Sequence, residues 1–91
     1  MNNHRPDLSR RPLAKWKPVI EAICRRHRVT WREFVRGYMD DRYVACRHEV
    51  WWTVRTQFGA SYPEIGRRTG GFHHTTVMLA VRKYQPERIA A

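Results

Sequence analysis

The sequence predicts an all-α fold, a small bundle of about five helices, on three observations. Apolar residues recur at i, i+3, i+4 and i+7 in several segments, which places them on one stripe of a 3.6-residue helix. Thr30 and Ser61 each stand three residues ahead of a glutamate, Glu33 and Glu64, a pairing that satisfies the free N–H groups of a helix start. Glycines at 37, 59 and 70–71 fall where the stripes end, as helix stops. At 91 residues the chain has room for one small domain with an economical core.

Residues 1–12, MNNHRPDLSRRP, carry two prolines, three arginines and almost no apolar side chain. They supply little surface to bury, so a flexible basic arm is expected there and the folded domain over 13–91. The arm is either an unstructured leader or a basic strand that contacts phosphates or enters a minor groove. Next, Trp16, Val19, Ile20, Ile23, Cys24 and His27 form an apolar face opposite Lys15, Glu21, Arg25 and Arg26. Pro18 suits a first turn, so the first helix is expected over about 17 to 27. Thr30 opens a short helix that buries Trp31, Phe34 and Val35 before Gly37 ends it.

Asp40 or Asp41 then caps a long helix from about 42 to 58, closed by Gly59, with Val44, His48, Trp51, Trp52, Arg55 and Phe58 along its length. Adjacent tryptophans point about 100° apart on a helix, so Trp51 and Trp52 do not share one buried face. At least one is expected partly exposed or wedged between helices. Core or inter-helix packing is the favoured role for the pair, with an aromatic platform for stacking single strands as the alternative.

The rest of the chain is organised around residues 61–84, SYPEIGRRTGGFHHTTVMLAVRKY. Ser61 caps, Pro63 sits in a first turn, Ile65 supplies the apolar contact behind it, and Gly70-Gly71 stop that helix. Val77, Ala80, Val81 and Tyr84 then place one buried stripe on a second helix. Two helices joined by a glycine turn make a helix-turn-helix. His73, His74, Thr75 and Thr76 open its second helix, where unpaired N–H groups and the positive dipole end favour a phosphate and short side chains reach base edges.

Pro63-Glu64-Ile65-Gly66, Gly70-Gly71 and His74-Thr75-Thr76-Val77, in that order and spacing, resemble the signature of the C-terminal DNA-binding domain of the bacterial chromosomal replication initiator DnaA. Residues from about Val19 to Gly59 also follow that domain's helical layout, so the resemblance covers most of the chain. It does not extend to the initiator's ATPase, since no Gly-x4-Gly-Lys-Ser/Thr run is present. The resemblance implies double-stranded DNA as partner, no cofactor, and specific contact residues. Arg47, at the start of the long helix, matches an arginine that reaches the DNA backbone and minor groove; the bland reading is a solvated arginine on a basic face. Tyr62 and Pro63 match residues that meet thymine methyls. His74, Thr75 and Thr76 match readers of the major groove, and Lys83, with Arg82 beside it, matches a phosphate anchor. Arg67 and Arg68 add non-specific attraction.

At two positions the chain departs from that pattern. The initiators usually carry Arg-Asp after the double glycine; here Phe72-His73 stand in their place. Losing the arginine removes a bidentate donor and losing the aspartate an acceptor for cytosine N4, each worth about 1 to 3 kcal/mol of discrimination. An altered or relaxed sequence preference is therefore implied. Phe72 either meets a thymine methyl or folds back over the turn.

Composition agrees with a polyanionic partner. Eighteen Lys+Arg against eight Asp+Glu leave +10 with neutral His. No apolar run approaches the roughly 20 residues of a membrane span. Two cysteines, Cys24 and Cys46, in helical segments without a secretory leader indicate a reduced, cytoplasmic protein, and the resemblance implies that it is nucleoid-associated. Cys24, His27, Cys46 and His48 invite a zinc reading, but Cys46 and His48 are two apart, nearly opposite on a helix. No nucleophile has an orienting partner at a recognisable spacing, and no catalysis is expected. The function classes left are a replication or transcription regulator on duplex DNA, phage- or prophage-encoded if the module stands alone, a protein-interaction module of the same fold, or an RNA or single-strand binder.

Overall fold

The computed structural model describes residues 12–84. The expected N-terminal arm lies, but for Pro12, outside the described residues. Five helices follow in order: α1 Lys17–His27, α2 Trp31–Arg36, α3 Asp41–Phe58, α4 Tyr62–Arg68 and α5 His74–Lys83. No strand occurs among the described residues.

Local chemistry sets most of the boundaries. Thr30 accepts from the Glu33 N–H at 3.1 Å while Glu33 accepts from the Thr30 N–H at 2.9 Å, a complete reciprocal cap on α2. Ser61 accepts from the Glu64 N–H at 3.2 Å, but the Glu64 carboxylate turns instead to Arg68, 3.3 Å away and one helical turn on. Asp40 takes the cap position of α3 with extended backbone and makes no side-chain cap hydrogen bond, so its contribution there is charge at the dipole end. Gly37 and Gly59 end α2 and α3 in the left-handed conformation.

The long α3 is the spine on which the other four helices pack. Its core face is Cys46, Val50, Trp51 and Val54, against Trp16, Ile20, Ile23 and Cys24 from α1 and its approach, Phe34 from α2, Ile65 from α4, and Val77 and Ala80 from α5. The adjacent tryptophans separate as their angular offset requires. Trp51 is buried against Phe34, while Trp52 is half-buried and leans on Tyr84 beyond α5, ring centroids 5.4 Å apart.

A polar clamp ties α1 to α3. Glu49 accepts from Arg26, and its other oxygen lies 2.7 Å from His27 Nε2. Burial raises the Glu49 pKa, but the hydrogen bonds and charges of Arg26 and His27 together outweigh it and hold the carboxyl below its ordinary value. A depressed carboxylate stabilises the fold above its unfolded pKa, about 4.3, and that contribution is lost as pH falls through the lower folded value. Arg26 is largely exposed, so the contribution is about 1 kcal/mol or less. Thermal unfolding followed between about pH 6 and about pH 3 is therefore expected to show the wild type losing more stability than Glu49→Gln.

Candidate nucleic-acid interface

The turn between α4 and α5 is built on Gly66. Its carbonyl accepts from the N–H groups of both Gly71 and Phe72 at 2.9 Å, which folds the chain back on the end of α4. Gly70 and Gly71 take positive φ of 113° and 87°, conformations closed to most side chains. A Cβ on Gly70 would also press into Val35, so α2 backs the turn. Beneath it, Thr69 is fully buried, donating to the Ile65 carbonyl at 2.6 Å and accepting from Trp51 Nε1–H at 3.0 Å.

The turn delivers α5 with a set orientation. Val77 and Ala80 are locked in the core, while the side chains of the first turn, His74, Thr75 and Thr76, stand exposed at the helix start. His73 takes the cap position, its Nδ1 accepting from the Thr75 N–H at 3.1 Å. An accepting Nδ1 puts the ring proton on Nε2, leaving an N–H donor directed away from the cap. The His73 and His74 rings stack with centroids 4.4 Å apart. Farther along, Arg82 and Lys83 are exposed. Leu79 is exposed too, four residues after Thr75 and so on the same stripe. Sequence reasoning passed it over, although that spacing was the available signal.

Of the two placements open for Phe72, the structure has the inward one. Its half-buried ring lies edge-on to Trp51 at 5.1 Å and to Phe34 at 6.3 Å, a prop under the turn. Arg47 differs from both expectations, being neither solvated nor extended outward. It is 5% exposed, its guanidinium lying over the Phe72 ring at 5.6 Å, with Nη2 4.0 Å from the Met39 sulfur. Nη1 has no hydrogen-bond partner among the described residues. Desolvation pushes the Arg47 pKa down, yet a guanidinium stays charged, so this is a cation held without an anion among the described residues. Met39, which covers it, is 79% exposed and was not singled out by sequence. The cause is spatial: Arg47 sits on the side of α3 that faces the turn, and the α2–α3 loop folds over it.

The other expected residues are distributed around this centre. Tyr62 is half-buried under the Arg55 guanidinium, 4.5 Å from its ring, and Arg55 donates to the Ala60 carbonyl at 2.8 Å. Pro63 and Arg67 are exposed, while Arg68 is engaged by Glu64. His48 is held below its ordinary pKa, first by burial and then by the positive Arg47 and Lys83, so the field along α3 and the end of α5 is cationic. The weighed metal set does not converge. Cys24 and Cys46 face each other, His27 pairs with Glu49, and no three His, Cys, Asp or Glu side chains among the described residues could share an ion. The single-strand platform loses Trp51, which is buried to its N–H. No helix among the described residues is long and apolar enough to cross a membrane.

Comparison with known proteins agrees with this geometry. Residues 17–83 match the family described as bacterial dnaA protein helix-turn-helix, a span that runs from the first residue of α1 to the last of α5. The chain is 35% identical over 69 residues to the chromosomal replication initiator protein DnaA of Thermomicrobium roseum, covering 76% of this chain and 15% of that protein. It is 38% identical over 67 residues to the DnaA of Rhizobium johnstonii, covering 74% and 14%. Against the DnaA of Nitrobacter hamburgensis it is 33% identical over 81 residues, covering 89% and 17%. The chain thus spans about one sixth of the length of these relatives. No solved structure matches it. By the extent of the match, the glycine turn and the exposed His74-Thr75-Thr76 opening of α5, the chain belongs to the bacterial DnaA helix-turn-helix family.

Proposed function

We propose that this chain binds double-stranded DNA with α5 in the major groove and regulates replication or transcription, with a sequence preference altered from that of the initiator. The observation that carries the reading is the outward stand of His74, Thr75 and Thr76 at the N-terminus of a helix whose opposite face is fixed in the core. Threonine offers a methyl to thymine and a hydroxyl to base or phosphate, and histidine donates to guanine O6 or N7. Lys83 and Arg82 anchor phosphates at the far end, Tyr62 and Pro63 approach thymine methyls from α4, and Leu79 adds an apolar contact between them. The net charge of +10 supplies the long-range attraction.

Altered preference follows from Phe72-His73. With Phe72 turned inward and His73 Nδ1 spent on the helix cap, a bidentate donor and a cytosine-reading acceptor are both missing. Mobility shifts against the initiator's box and against scrambled duplexes test this. A preference for the box as strong as the initiator's own would overturn the altered-preference part alone.

The DNA reading itself is tested by the Thr75→Ala/Thr76→Ala double variant, whose exposed side chains make folding insensitive to the change. Duplex affinity is expected to fall about 30-fold or more, from two contacts each worth about 1 to 3 kcal/mol. In the wild type, log affinity should fall with log salt by roughly 0.9 per phosphate neutralised. Unchanged affinity in the double variant, or binding indifferent to salt, would favour a protein-interaction module instead.

Arg47 enters this reading as a backbone or minor-groove contact, which requires Met39 to move aside. Met39→Ala removes the cover and is expected to tighten duplex binding by about 2- to 5-fold at fixed salt, because the competent conformer no longer has to be selected. Titration of labelled duplex with both proteins measures it, and an affinity equal to or weaker than wild type would show that Met39 does not restrain Arg47.

A further inference from the structure

The core contains a pair of thiols that the DNA reading leaves unused. Cys24 on α1 and Cys46 on α3 have their sulfurs 3.7 Å apart, and both are free. A disulfide needs about 2.05 Å, so bridging asks α1 and α3 to close by less than 2 Å and no segment to unfold. The two sulfurs are not equivalent. Cys46 is fully buried, whereas Cys24 forms part of the wall of a pocket of about 430 Å³ whose apolar floor includes Ile20, Val29 and Trp31. On its rim, Lys17, Glu21 and Arg25 follow at successive turns of α1, two cations flanking one anion.

We propose that Cys24 and Cys46 form a thiol–disulfide exchange site that takes a small acidic disulfide in the α1–α2 pocket and is converted to an internal disulfide in the folded protein. The Cys24 thiolate attacks one sulfur of the incoming disulfide, forming a mixed disulfide and expelling one small thiolate. Cys46 then attacks the Cys24 sulfur, its proton leaving with the second small thiol. The net change is two protein thiols oxidised to one disulfide and one small disulfide reduced to two thiols. Cys24 as attacking group agrees with charge as well as access. Its pKa is lowered by a hydrogen bond from Cys46, which outweighs burial and the nearby Glu21 carboxylate, while the Cys46 thiol is pushed up by the same bond and by burial. The two rim cations suit the carboxylates of the incoming molecule, and Glu21 suits an amine on it.

Oxidised glutathione is the probe, added to the full chain while circular dichroism monitors the helices. The folded wild type is expected to become lighter by two hydrogens, to gain no covalent link between chains, to release two glutathione thiols per chain and to revert with dithiothreitol. Cys46→Ala should stop with one glutathione held on Cys24, and Cys24→Ala should leave Cys46 unreacted until the protein unfolds. Lys17→Glu/Arg25→Glu should slow the reaction with oxidised glutathione about ten-fold and not slow that with the cationic disulfide cystamine. No oxidation of folded wild type, linkage between chains in place of an internal bridge, or a Cys24→Ala protein that reacts as fast as Cys46→Ala would each overturn the proposal. The wild-type measurement decides even where a cysteine variant fails to fold, and none of these outcomes bears on DNA binding.

Discussion

Replacing Gly66 with alanine is expected to destabilise the domain by about 3 kcal/mol and to abolish duplex binding where folding survives. A Cβ at that position would lie far inside van der Waals contact with the Phe72 carbonyl oxygen and close to Val77 Cγ2. The obstacle is backbone, not the tip of a flexible side chain, so relief requires the turn itself to shift. The turn is held by the Gly66 carbonyl, which takes hydrogen bonds from Gly71 and Phe72. Moving Phe72 therefore weakens two hydrogen bonds, each worth about 1 kcal/mol, on top of an overpacking cost of about 1 to 3 kcal/mol. Better helix propensity returns about 1 kcal/mol and does not change the sign. Gly59→Ala makes the control. It meets nothing within 4 Å and bears only its positive φ of 66°, a cost of about 1 to 2 kcal/mol. Urea melts of the two variants should separate them clearly. A Gly66→Ala protein as stable as Gly59→Ala would mean that the turn is soft, and that the orientation of α5 is set elsewhere.

Thr69→Val should cost about 2 to 3 kcal/mol, a large effect for a swap that conserves volume. The hydroxyl is fully buried and serves twice, as donor to Ile65 and as acceptor for Trp51. Valine leaves the indole N–H of Trp51 buried with no acceptor, and desolvation of that donor without compensation is the larger share of the penalty. Trp51→Phe removes the orphan donor but opens a gap beside Phe34 and Phe72, so it too is destabilising alone. The double variant is the informative one. Its loss should be smaller than the two single losses added, because the unsatisfied N–H is counted in only one of them. Strict additivity in chemical denaturation would indicate that the 3.0 Å contact contributes nothing net.

These two sites also bear on how α5 is presented. Gly66 and Thr69 lie at the end of α4 and under the turn, and neither faces the proposed DNA surface. A variant at either one that folds yet binds weakly would point to orientation rather than to lost contacts. Thr75 and Thr76 test the contacts themselves, so the two classes of variant separate positioning from reading.

Much of the architecture was legible in the residues because its causes are short-ranged. The Thr30–Glu33 cap, Pro18 in a first turn, the glycine stops and the spacing of Val77 and Ala80 each involve neighbours within about four positions, where one helical turn brings side chains together. The same local logic failed where a side chain had a choice. Glu64 could reach back to its cap or forward to Arg68, and it goes forward; Asp40 occupies a cap position without bonding there. Spacing alone does not rank two reachable partners.

What the chain's order of residues settled without help is the helical class, the five segments and the outward threonines at the start of α5, since hydrogen bonds and apolar periodicity within a helix need no distant partner. Three-dimensional packing settled the rest. It turned Phe72 inward onto Trp51, sheathed Arg47 between Phe72 and Met39, and brought Cys24 to Cys46 from 22 positions away. Each of these depends on where two helices cross, and a crossing follows from how whole faces interdigitate rather than from any motif written along one of them.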